Sequence, residues 1–79
     1  MSYRIDLHGK SHQEAVKIVE KELILNSIYK FDTVEIITGK SPKLQELLIK
    51  EVIDRYDFYY YIPPNNPGML IVHEHYMFI

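Results

Sequence analysis

Asp6 and His8 stand two residues apart in the stretch Ile5-Asp6-Leu7-His8-Gly9. On an extended strand that spacing places both side chains on one face, opposite Ile5 and Leu7. A carboxylate beside an imidazole can fix its tautomer and raise its basicity, which is the arrangement of a general base. The plainer alternative is that both groups lie on an open sheet face, hydrogen-bonded to their neighbours. His12 follows one helical turn past His8 and could approach it.

Gly-Lys-Ser occurs twice, at Gly9-Lys10-Ser11 and at Gly39-Lys40-Ser41. Each copy follows a short apolar run and precedes helical spacing, so each marks a strand-to-helix junction. In open α/β sheets, ligands bind outside the carboxyl ends of the strands. Helix N-termini present unpaired N–H groups and about half a positive charge, which suits an anion. Glycine lets the backbone approach a ligand, and Lys10 and Lys40 add full charges. Two such junctions side by side would cradle a phosphate. The alternative is that glycine ends a strand, serine caps a helix and lysine is solvated. A nucleotide-binding P-loop, G-x-x-x-x-G-K-[ST], is excluded, because the first glycine it needs is Arg4 for one copy and Val34 for the other.

Two further groupings carry weaker signals. His73-Glu74-His75 has metal-ligand side chains, but its spacing is uninformative without a second cluster, so no metal or cofactor is expected. Tyr59, Tyr60 and Tyr61 could place one or two rings on an open sheet face, where rings stack on bases. Core and edge packing explains them equally well.

The elements that must position these residues follow from periodicity. The 79 residues make one domain, 1–79, with a thin core. Tyr3, Ile5 and Leu7 alternate with Arg4, Asp6 and His8, the pattern of a half-buried strand. Ser11-His12-Gln13-Glu14 reads as a capping box opening a helix over about 11–27. Residues 33–38 read as a more central strand, apolar on both faces. Ser41-Pro42 starts a second helix that carries a Leu44, Leu47, Leu48 and Val52 stripe to about Tyr56. Phe58–Ile62 is an aromatic third strand, Pro63–Gly68 a loop, and Met69–His73 a fourth strand.

The predicted order is β-α-β-α-β-β. Right-handed crossovers then put both helices on one face of a four-stranded mixed sheet, with the last strand antiparallel: a two-layer α/β sandwich. There is no cysteine, no apolar leader-like segment near Met1 and no run of about 20 apolar residues. A cytoplasmic protein without membrane contact is the expectation. The formal charge of −2 argues against a strong sequence-independent grip on nucleic acid, so any phosphate contact must be local.

Ile5-Asp6-Leu7-His8-Gly9 resembles the L-D-L-H-G signature of the small MutS-related (Smr) domain family, in which an E-A-rich helix follows, here Glu14-Ala15. The family's second motif, H-G-x-G, falls on Thr38-Gly39-Lys40-Ser41. Its glycine-rich last loop falls on Asn65-Asn66-Pro67-Gly68, before Met69-Leu70-Ile71-Val72. The likeness spans about residues 5–73. It implies a sandwich like the C-terminal domain of bacterial translation initiation factor three, and action on nucleic acid. Some Smr domains are endonucleases that nick DNA or cleave RNA; others work on ribosomes or nucleic acid without a clear cleaving role. Asp6, His8, Gly39 and Gly68 take the positions of the family's Asp, His and loop glycines. Thr38 replaces the second histidine, and its hydroxyl cannot titrate near neutral pH. Losing a general acid costs about 10²–10⁴ in rate.

The resulting expectation is a stand-alone module that binds RNA, DNA or a ribosome through Gly9, Lys10, Ser11, Thr38, Gly39, Lys40, Ser41, Asn66 and Gly68. The first alternative is a metal-independent endonuclease with His8 as base, Asp6 as its orienting partner and Lys40 as electrostatic stabiliser. The second is a protein-interaction domain using the open sheet face. An edge strand and exposed aromatics leave room for a homodimer.

Overall fold

A computed structural model describes residues 2–24 and 33–73. The chain runs β1 (Ser2–Asp6), α1 (His12–Glu22), β2 (Thr33–Ile37), α2 (Pro42–Leu48), a π-helical turn (Ile49–Ile53), β3 (Tyr59–Tyr61) and β4 (Met69–His73). The sheet order is β1-β2-β4-β3. β1 and β2 are parallel, with Ile5 opposite Ile36. β4 is antiparallel to both of its neighbours, with Leu70 opposite Ile36 and Tyr60 opposite Val72. The mixed four-stranded sheet expected from the sequence is present. The last strand inserts between β2 and β3, because Leu70, Ile71 and Val72 are buried on both faces, as suits an inner strand.

One core joins the layers. Ile5, Val34, Ile36, Leu70 and Val72 project from one sheet face. Ala15, Val19 and Leu23 meet them from α1, and Leu44, Leu48, Val52 and Ile53 from α2 and its extension. Both helices therefore cover the same face, as two like-handed crossovers require. Fully burying each of the valine, leucine and isoleucine side chains stabilises the fold by about 1.5–3 kcal/mol relative to exposure. The opposite face carries Arg4 hydrogen-bonded to Glu35 at 2.9 Å, with Ile37, Met69, Ile71, Tyr59, Tyr61 and His73 in register beside it.

Boundaries differ from the periodic reading in three places. The α-helical part of the second helix ends at Leu48 rather than near Tyr56, and a π turn continues it. Asp54 N–H donates to Ile49 O at 2.8 Å, and the neighbours Val52 and Ile53 are both fully buried across that turn. Leu47, placed in the apolar stripe by its spacing, is only half-buried. The third strand shortens to three residues, all exposed. α1 ends at Glu22, the chain is described to Ile24, and the part of the first helix expected over 25–27 lies outside the described residues. Among the described residues, no helix is long and apolar enough to cross a membrane.

Candidate functional site

The first junction begins where β1 ends. Leu7 N–H still donates to Ile37 O at 3.1 Å, extending the β1–β2 ladder by one bond. The chain then turns. Lys10 N–H donates to Leu7 O at 3.1 Å, with Gly9 at φ +77°, a conformation that disfavours any side chain. Asp6 and His8 are both exposed and Leu7 is buried, as alternation predicts. The Asp6 carboxylate, however, accepts from the backbone N–H of His8 at 2.9 Å. It braces the turn instead of orienting the imidazole, which corrects the Asp–His pairing expected from spacing. A backbone N–H two residues on lies closer to an aspartate's short side chain than a neighbouring ring does.

Ser11 caps α1. Its hydroxyl accepts from Glu14 N–H at 3.1 Å, and the Glu14 carboxylate accepts from Ser11 N–H at 3.0 Å. Those hydrogen bonds to Ser11, with the Lys10 charge nearby, hold the Glu14 carboxyl below its usual range. The α1 N-terminus thus already has an acidic group closed over it. This corrects the picture of a fully open anion site there: Ser11 is a cap, and only the first helical amides beyond it lack intrahelical partners.

The second junction repeats this plan with a third segment attached. Gly39 has φ +71°. Ser41 accepts from Leu44 N–H at 3.3 Å, with Pro42 in the first helical turn. Thr38 N–H and Gly39 N–H both donate to Gly68 O, at 2.9 and 3.0 Å. The Thr38 hydroxyl also lies within bonding distance of Gly68 O, at 3.1 Å, and accepts from Gln45 Nε2 at 2.9 Å. The same Gln45 amide donates to Pro67 O at 2.8 Å. Asn66 Oδ1 accepts from Gly68 N–H at 3.3 Å, which folds the loop on itself. Pro67-Gly68 is thereby bound to the second junction.

A cleft of about 380 Å³ opens between the two junctions. Residues 6–10 and His12 line one side, and residues 37–39 with Ser41 and Leu44 line the other. His8, Lys10, Thr38, Gly39 and Ser41 therefore share one cavity. Lys40 is exposed on the second turn without lining the cleft. Asn66 and Gly68, expected to touch a ligand, do not line the cleft; Gly68 O accepts from Gly39 N–H, and Asn66 bonds Gly68 in turn. The tyrosines do not join this rim. Tyr59 stacks on His73 with ring centroids 5.6 Å apart, and His73 pairs with Thr33, at the far end of β2 from Thr38. Glu74 and His75 lie outside the described residues, among which no cluster of three metal-ligating side chains occurs.

Gln45 is the site-building residue that sequence reasoning missed. It is the one buried polar side chain of the described core, and its only signal was a glutamine beside Leu44 on the inner stripe of a helix. In comparisons with family models, curated proteins and solved structures, the chain matches none.

Proposed function

We propose that the chain is an Smr-like domain that binds the phosphodiester backbone of RNA or DNA, free or within a ribosome, at the cleft between its two Gly-Lys-Ser junctions. The observation that carries this reading is the cleft's position: it lies outside the carboxyl ends of parallel β1 and β2, where open α/β sheets receive ligands. Lys10, His8 and His12 border it, and Lys40 stands on the adjoining turn. Its volume falls in the range of ordinary ligand sites, enough for a sugar-phosphate unit and not for a folded partner.

Binding is favoured over cleavage by two contacts. The Asp6 carboxylate is bonded to a backbone amide and not to the His8 ring. The Thr38 hydroxyl is held between Gly68 O and Gln45, so the second-motif position supplies no titrating group and leaves His12 as the other imidazole lining the cleft. A general acid and a general base are both needed for efficient metal-free transfer.

The test is a chemical-shift titration with short RNA and DNA oligonucleotides, paired with a gel assay of wild type against His8→Ala. Shifts gathering at residues 8–11 and 38–41, with intact oligonucleotide and salt-sensitive binding retained in the variant, support the reading. Cleavage abolished by His8→Ala replaces it with the endonuclease. An absence of shifts with every oligonucleotide, or shifts confined to β3, overturns it.

A further inference from the structure

The cations of this acidic chain are sorted by use. Arg4 is bonded to Glu35 at 2.9 Å, and Arg55 lies 3.8 Å from Glu20. Among the described residues the lysines form no ion pair: Lys10, Lys17, Lys21, Lys40, Lys43 and Lys50 are alike in this, and position alone separates them. Lys43 and Lys50 lie seven residues apart on one face of the second helix, about 10 Å along its axis, and both are exposed. Between them lies a hollow of about 230 Å³, which they line with His12, Glu46 and Leu47. His12 also lines the rim cleft. One side chain therefore borders both cavities, and the hollow adjoins the cleft at His12 on the side of the second helix.

From this we infer a second phosphate-contact site: a nucleic-acid strand seated in the cleft continues over His12 into the hollow, where Lys43 and Lys50 contact successive parts of its backbone. The inference rests on the nucleic-acid reading of the cleft. Glu46 is the one carboxylate in the hollow. With His12 neutral, two lysines against one glutamate leave it positive within a chain of formal charge −2. A local excess of this kind directs a polyanion along a path. Leu47, half-buried between the lysines, offers an apolar floor for sugar or base edges.

The experiment measures affinity against salt for a single-stranded RNA of about ten nucleotides, long enough to pass Lys50 at about 3.4 Å or more per nucleotide. The proteins are wild type, the double variant Lys43→Gln/Lys50→Gln, Glu46→Gln, and Lys21→Gln in the last turn of α1. All four positions are exposed, and circular dichroism verifies the fold of each variant. The double variant is expected to lower the slope of log K against log salt by about 1.4, at about 0.7 per lost contact. Glu46→Gln is expected to tighten binding, and Lys21→Gln to leave it unchanged. A wild-type slope in the double variant, with binding intact, overturns the second site and leaves the cleft reading standing. A Lys21→Gln loss as large as that of the double variant overturns it too, because the effect is then general charge. No binding by wild type overturns the cleft reading and this inference together.

Discussion

Gly68 packs directly against the backbone of Gly39. A Cβ at position 68 would stand 3.2 Å from the Gly39 carbonyl carbon and 3.3 Å from its Cα. The neighbour is main chain, so it can yield only by moving the second junction. Gly68→Ala is therefore expected to cost about 1–3 kcal/mol through overpacking. A urea titration measures the loss, and amide shifts at Thr38 and Gly39 locate the displacement.

Gly9 and Gly39 are glycines for a different reason. Nothing lies within 4 Å of a Cβ at either position, but both have positive φ. Alanine at either site is expected to cost about 1–2 kcal/mol of left-handed strain. Asparagine, which tolerates that conformation, is expected to cost less. The order Gly, then Asn, then Ala in urea midpoint checks this, whereas a steric cause would make the larger Asn the worst.

Gln45→Leu removes both hydrogen bonds that its amide makes. Thr38 loses a donor and Pro67 O its side-chain partner, at an expected cost of about 1–3 kcal/mol. The Pro67-Gly68 loop retains its two backbone bonds to residues 38 and 39. Amide hydrogen exchange is therefore expected to rise most at those two N–H groups, with the β1–β2 ladder less affected.

The capping box gives a defined acid limb. The Glu14 carboxyl is held below its ordinary value of 4.5 in the fold, so the native state binds its proton less readily than the unfolded chain does. The associated stability is fully present above 4.5 and is lost as pH falls through the lowered value. Glu14→Gln is expected to flatten that limb. Ser11→Ala removes the reciprocal bond and is expected to cost about 1 kcal/mol at neutral pH. Thermal unfolding at several acidic pH values separates the two effects.

Asp57 is the one non-glycine residue of the described chain with positive φ, at 59°. It closes the turn after the π-helical segment, where Phe58 N–H donates to Ile53 O at 2.9 Å. Asp57→Gly relieves the left-handed cost and is expected to stabilise the fold by about 1 kcal/mol, less the added entropy of the unfolded chain. A lower urea midpoint in this variant would show that the aspartate side chain holds the turn.

Much of the fold was legible because its signals are local. Alternation at Tyr3, Ile5 and Leu7 marks β1, and Ser11 with Glu14 marks the start of α1. Ser41-Pro42 marks the start of α2, and the apolar run from Met69 marks β4. Each depends on residues within a turn or a strand of one another. The π turn at Ile49–Ile53 was not legible, because its cause is the burial of Val52 and Ile53 against the sheet. The brevity of β3 is a matter of pairing: three tyrosines suit a strand of either length, but the ladder to β4 stops at Tyr61, leaving Leu70 and Met69 unpaired on that edge.

The candidate site divides in the same way. The two glycine turns, their caps and their lysines follow from local residue order, since φ preference and capping act between near neighbours. Which groups share the cleft follows from the packing of distant segments. The tertiary structure directed the Asp6 carboxylate to a backbone amide, gave Thr38 to Gln45 and Gly68, and moved Gly68 from ligand contact to support. Hydrogen-bond partners belong to whichever donors and acceptors folding brings within about 3 Å, and residues 38, 45 and 68 become neighbours only when the sheet and the second helix close on a common core.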